Sequence, residues 1–170
     1  MIHNFQRSLA LSASQSDAPW WEATYRKAFP GFQTMANVRQ DGWAQRGGID
    51  RVVVLKSSKT ITVDEKVRDK DWPDILLERW SDRQKKTPGW VQKDLACDYI
   101  AYAFIPSQTC HLLPFLQLRR AWLDNGERWI AQYQPVLAQN ETWVTESIPV
   151  PVPELLGALM GAMTVNWGAV

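Results

Sequence analysis

QRGGIDRVVVLKSSKTITVDEK, residues Gln45 to Lys66, is the stretch whose reading decides the fold. Within it, RVVVLK (Arg51 to Lys56) and TITVDEKVR (Thr60 to Arg68) are rich in β-branched residues, and Ser57, Ser58 and Lys59 punctuate them. Such a pattern predicts a β-hairpin turning near Ser58. An antiparallel return about that loop brings the start of the first strand, Asp50, close to the late part of the second, Asp64. Side chains alternate along a strand, so Asp64 and Lys66 share one face and Glu65 points to the other.

Two carboxylates and a lysine then meet at one spot. Hard divalent cations favour carboxylate oxygens, a bound cation lowers the pKa of a water, and an ammonium offsets charge on a phosphate. These are the tasks that hydrolysis of a phosphodiester requires. Gly47 and Gly48, just before Ile49 and Asp50, suit a tight backbone entry where another group approaches closely. A third run, DILLERW (Asp74 to Trp80), follows Pro73 and reads as another strand or a short helix, with Glu78 a candidate for the side that carries the site.

Gly48-Ile49-Asp50, then thirteen residues, then Asp64-Glu65-Lys66 resembles the PD-(D/E)xK motif of the restriction-endonuclease-like nucleases, phage and resolvase-like branches included. The proline of the motif is absent, Ile49 standing in its place. The resemblance implies an α/β fold with an αβββαβ core over roughly Trp20 to Trp129, a central mixed sheet flanked by helices. It implies a metal-dependent deoxyribonuclease using Mg²⁺ or Mn²⁺, with DNA ahead of RNA as the nucleic acid and a structure-specific substrate in some branches. Asp50 and Asp64 would be both catalytic and metal-ligating, joined by the backbone carbonyl of Glu65, and Lys66 would orient the water or offset charge. Glu22, in WWEATYRKAF, matches an acidic residue on the preceding helix; Gln45 matches a glutamine found before the first aspartate. Glu22 and Glu78 are candidates for a second metal or for holding the water, and Gln45 for contacting phosphate or water.

Each of these residues also has a structural reading. Asp50 can cap a turn, Asp64 can pair with Lys66 or Arg68 on an exposed sheet face, and Glu22 can be a solvated helix residue. A module that keeps the nuclease fold without catalysis, binding nucleic acid or protein, is the alternative function; the intact Asp, Asp and Lys argue against it. A structural assembly protein is a third reading, suggested only by the Trp-rich, small-residue C-terminal region.

With 170 residues the chain has room for one domain with a sizeable core. The expected organisation is a loosely held segment over 1–18, rich in Ser, Gln and Ala, and a single domain over 19–170. A net charge of +1 argues against strong nonspecific coating of nucleic acid, while leaving room for local basic faces at Arg68 with Lys70, Arg79 with Arg83, Lys85 and Lys86, and Arg119 with Arg120. Cys97 and Cys110 sit in or beside apolar segments without ligand spacing, which speaks against structural zinc. No basic start leads into a long apolar run, and LLGALMGAMTV (Leu155 to Val165) is shorter than a membrane span, so the expected setting is cytoplasmic without a membrane.

Outside the hairpin, Pro19 starts a predicted helix through Phe29, its apolar face made by Trp20, Trp21, Tyr25 and Phe29. Ser81 to Gly89 reads as a basic loop near the site, Trp90 to Leu95 as a short helix, and DYIAYAFI (Asp98 to Ile105) as a central strand. His111 to Pro114 is an expected edge strand, and Phe115 to Tyr133 an expected helix. Glu141 to Val150 reads as a late strand, with a last helix beginning near Glu154. On it, Gly157 and Gly161 permit close packing, within the domain or in a homodimer. Most of the ten tryptophans recur at helix or strand spacing and read as core, with stacking on bases the other use.

Overall fold

The structure, a computed structural model, describes residues 3–168. Its elements run β1 (His3–Asn4), α1 (Phe5–Ser14), α2 (Trp20–Ala28), β2 (Phe32–Asn37), α3 (Gly42–Gly47), β3 (Arg51–Leu55), β4 (Thr60–Arg68), β5 (Asp74–Asp82), β6 (Thr87–Pro88), β7 (Tyr99–Phe104), β8 (Thr109–Pro114), α4 (Phe115–Gln132), β9 (Val136–Gln139), β10 (Val144–Pro151), α5 (Val152–Gly157) and β11 (Met163–Asn166). This is a mixed α/β fold. The chain is organised as two compact units, each assembled from stretches far apart in sequence.

One unit comprises Leu11–Asp71, Leu95–Phe115 and Gly161–Val170 and carries a six-stranded mixed sheet in the order β11-β8-β7-β4-β3-β2. Strands β2, β3 and β4 form an antiparallel meander, β7 lies parallel to β4, and β8 and β11 return antiparallel. The central position of β7 explains its composition: a strand covered on both faces needs a nearly unbroken apolar run, and Ile100 to Phe104 are all buried. One face of the sheet receives α2, where Trp21, Tyr25, Ala28 and Phe29 pack with Val53, Val63, Val67, Ala101, Ala103, Cys110, Leu112 and Val165. The helix starts after Pro19, whose fixed φ of −60° suits a helix start, and Trp21, Thr24, Tyr25 and Ala28 supply its buried stripe.

The other unit comprises Met1–Ala10, Trp72–Asp94 and Leu116–Met160 and carries a sheet in the order β1-β9-β10-β5-β6. Strand β5 alternates buried Ile75 and Leu77 with half-buried neighbours and pairs antiparallel with β10, which buries Ile148 and Val150. Most of helix α4 belongs here; Leu118, Ala121, Trp122 and Trp129 form its buried stripe.

Several elements differ from their sequence reading. A helix, α1, that the sequence reading did not mark lies at Phe5–Ser14, in keeping with the good helix formers in FQRSLALSAS. The DILLERW run is a strand, yet it pairs with β10 and β6 and not with the hairpin. Trp90 to Leu95 is a turn at Trp90 to Gln92 followed by irregular chain, so the passage from β4 to β7 contains β5 and β6 and no α-helix. Strand β8 is interior, because β11 pairs along its outer side. The C-terminal helix ends at Gly157; Gly161 sits beyond it at φ +76°, so the two glycines share no helix face. Among the described residues, no helix is long and apolar enough to cross a membrane.

Candidate functional site

The hairpin closes where the serines predict. Ser58 takes the left-handed conformation at φ 65°, its N–H donates to the Leu55 carbonyl, and the Leu55 N–H donates to the Lys59 carbonyl, both at 2.9 Å. From there the register is fixed, with Val54 opposite Thr60 and Arg51 opposite Val63. Extending it by one residue sets Asp50 across from Asp64, and the Asp50 N–H donates to the Val63 carbonyl at 2.8 Å. Residues opposite each other share a face, so Asp50, Asp64 and Lys66 lie on one side of the sheet. The register carries that face onward: Asp64 beside Ile100 and Leu113, and Lys66 beside Tyr102, His111 and Thr164.

Gly48 makes the approach to Asp50. It ends α3 at φ +65°, a left-handed turn that favours glycine, and a Cβ there would stand 2.7 Å from a Leu95 methyl, which would have to shift. The Ile49 N–H then returns to the Ala44 carbonyl at 2.9 Å and seats Asp50 at the strand start.

Charge at this point is densely arranged. The Lys66 ammonium reaches both Asp64 oxygens, at 3.0 and 3.2 Å. Burial and the neighbouring Asp64 carboxylate push the Asp50 carboxyl up to about 6, against the opposing influence of Arg39, the Glu65 N–H and Lys66. Cys97 lies beside Asp64, and its thiol is pushed up to about 12 by burial and by that carboxylate. Such a thiol stays protonated and unreactive at neutral pH.

The peptide groups of β4 add one more donor. Successive residues of a strand present their N–H and C=O to alternate neighbours, so Glu65 repeats the direction of Val63, toward β3. Its N–H donates to Asp50 Oδ2 at 2.8 Å, and its carbonyl faces the same edge. Two carboxylates and a carbonyl form an oxygen set that suits a hard divalent cation. Among the described residues no three His, Cys, Asp or Glu side chains converge on one point. A cation held here would therefore keep several waters or take oxygens from a ligand, as Mg²⁺ commonly does.

The opposite face of the same tripeptide is structural. Glu65 is fully buried; its Oε1 accepts from Tyr25 Oη at 2.8 Å and from Arg51 Nε at 2.8 Å, and its Oε2 from Arg51 NH2 at 3.1 Å. Arg39, from the segment between β2 and α3, stands 3.1 Å from Asp50 Oδ2 and 3.5 Å from Glu65 Oε2. A chain of polar contacts thus runs from the neutral Tyr25 hydroxyl on α2 through Glu65 and Arg39 to Asp50.

The remaining sequence candidates lie elsewhere. Glu22 projects from the exposed side of α2 and pairs with Arg26 at 2.6 Å, while the residues α2 buries face the side of the sheet that carries Glu65, not Asp64. Its helical i, i+4 spacing to arginine is the ordinary reason for an acid at that place. Gln45 is exposed on α3, five residues before Asp50. Glu78 belongs to the other unit, on β5, where its Oε1 accepts the Trp90 N–H at 3.2 Å. The structure therefore brings together Asp50, Asp64, Lys66 and the Glu65 backbone, and does not bring Glu22 to them.

Sequence reading missed Arg39, Cys97 and Tyr102 as neighbours of the site. Arg39 lies in a short connection with no motif, and nothing in its local pattern marks it. Tyr102 is set beside Lys66 by the parallel register of β4 and β7, a long-range pairing that no local pattern marks. His111 is buried in the same row; its Nδ1 is 2.9 Å from Thr164 Oγ1, and burial lowers its pKa. Against protein families, curated proteins and solved structures, the chain has no significant match.

Proposed function

We propose that this chain is a metal-dependent nuclease that hydrolyses phosphodiester bonds of DNA, with Asp50, Asp64 and Lys66 as its catalytic residues. The observation that carries the reading is their placement on one face of the β3–β4 hairpin, with Asp50 across from Asp64. The strand arrangement supports it too. Helix α2, the meander β2-β3-β4 and the parallel neighbour β7 match part of an αβββαβ core, from which the chain departs in having α3 between β2 and β3 and strands β5 and β6 where that core has its second helix.

In this reading Asp50, Asp64 and the Glu65 carbonyl hold Mg²⁺ or Mn²⁺. A cation bound there supplies an acidified water and positive charge at the phosphate. Lys66, already held by Asp64, keeps its ammonium beside the reacting group, where it orients the water or stabilises developing negative charge. Desolvation raises the value of that ammonium, because Lys66 is one-quarter exposed and Asp64 only 12%.

The test is a panel of labelled substrates, comprising single strand, duplex, flap, four-way junction and RNA, incubated with Mg²⁺ or Mn²⁺ with and without chelator. Chelator-sensitive cleavage lost in both Asp64→Asn and Lys66→Met is the expected result. Metal-dependent cleavage at the wild-type rate in either variant refutes the assignment. Absence of cleavage by the wild type together with carboxylate-independent nucleic-acid binding favours the inactive binding module instead.

A further inference from the structure

Arg39 is an expensive residue to keep where it is. Its NH2 group lies 3.1 Å from Asp50 Oδ2 and 3.5 Å from Glu65 Oε2, yet its Nε and NH2 are buried without a well-formed hydrogen bond to any described residue. The Nε has no carboxylate beside it, and a buried donor left without an acceptor costs about 1–3 kcal/mol, while Glu65 already has Arg51 and Tyr25 as well-aligned donors. Stability alone does not account for a second guanidinium at that carboxylate.

Its effect on Asp50 does. Both Arg39 and the Glu65 N–H engage Oδ2, and among the described residues no hydrogen bond engages Oδ1. We infer that Arg39 is a positioning residue of the site: bracing Asp50 Oδ2 against Glu65, it fixes the carboxylate so that Oδ1 is the oxygen presented to a divalent cation. The inference rests on the nuclease reading. It has a second consequence, since the same guanidinium is a positive charge beside a cation site. It therefore weakens cation binding while improving the geometry of what is bound, and the two effects separate when Arg39 is replaced.

The experiment uses the full chain as wild type, Arg39→Met and Arg39→Lys, with Mn²⁺ titration calorimetry, cleavage at saturating Mn²⁺ and far-UV circular dichroism. Removing one nearby positive charge should tighten Mn²⁺ binding about threefold or more. Loss of the brace should lower kcat about ten- to a hundredfold, since a misplacement of about 1 Å can cost about a hundredfold. Arg39→Lys, whose single nitrogen can stand between the same two carboxylates, should restore both values toward wild type. Opposite movement of affinity and kcat in a folded Arg39→Met variant is the supporting signature. Unchanged values, or affinity and kcat falling together as a structural lesion produces, overturn the inference with the nuclease reading intact. A wild type that neither binds Mn²⁺ nor cleaves overturns the nuclease reading, and this inference with it.

Discussion

Replacing Asp50 by asparagine should stabilise the metal-free protein, and the gain should depend on pH in one direction. The Asp50 carboxyl is raised from an ordinary 3.8 to about 6 by burial and by Asp64. Between those two values the folded state holds a proton that the unfolded state has released. Stability from this group is therefore complete below about pH 4 and is lost as pH rises through about 6. At 1.36 kcal/mol per unit, the shift corresponds to about 3 kcal/mol of penalty at pH 8.

Asparagine removes the charge and keeps an oxygen for the Glu65 N–H, while forfeiting the Arg39 ion pair and leaving that guanidinium less compensated. The side chain is also 18% exposed, so solvent screens part of the repulsion. A net gain of about 1–2 kcal/mol remains, or roughly 2–8 °C in Tm for a chain of this size. The assay is thermal unfolding of wild type and Asp50→Asn with chelator present, at pH 4, 6 and 8. The variant's advantage should be least at pH 4 and largest at pH 8. An advantage that is flat with pH, or that shrinks as pH rises, refutes the account of Asp50 as a strained carboxylate facing Asp64.

The other predictions concern both faces of β4. Lys66→Met should reduce metal-dependent cleavage at least about a hundredfold, the scale of losing one transition-state charge partner, with circular dichroism unchanged; near-normal rates would remove lysine from the mechanism. Glu65→Leu leaves the buried Arg51 without its carboxylate, and breaking such a pair costs about 3–5 kcal/mol, measurable as a loss in urea unfolding free energy. A loss under about 1 kcal/mol, the scale of an exposed ion pair, would mean the network is not buried as described. Tyr25→Phe removes only one hydrogen bond to Glu65 and should cost about 1 kcal/mol by the same measurement. Cys97 and Cys110 are both buried, and both thiols are held above their usual range; a thiol reagent should label neither in the native protein and both in guanidinium.

What the sequence made legible was local, and what it hid was pairing at a distance. The hairpin was readable because β-branched runs and a serine turn specify each other within twenty residues, and the shared face of Asp64 and Lys66 follows from alternation alone. DILLERW reads as a strand or a short helix, and no local pattern says which sheet a strand will join. Its partner, β10, lies about seventy residues away, and Glu78 went with it to the other unit. Glu22 lies away from the site for a related reason: helix periodicity assigns an exposed side, whereas the side of the sheet that receives the helix is decided by Val53, Val63 and Val67, on the opposite face from Asp64.

The tripeptide Asp64-Glu65-Lys66 shows why that last distinction matters. Alternation makes its outer residues and its middle one answer to different demands. Asp64 and Lys66 face a charged cluster in which repulsion between Asp50 and Asp64 is tolerated. Glu65 faces the apolar core and is acceptable there only because Arg51 and Tyr25 complete its hydrogen bonds. A short apolar residue at position 65 would be the simpler choice for a sheet facing α2. The acid makes sense once Arg39 is considered, because a carboxylate behind the strand is what lets a guanidinium stand between the core and Asp50. Stability on one face and charge placement on the other are then linked through a single side chain. Changes at Glu65 should consequently disturb Asp50, and changes at Asp64 should leave the Tyr25–Arg51 network in place.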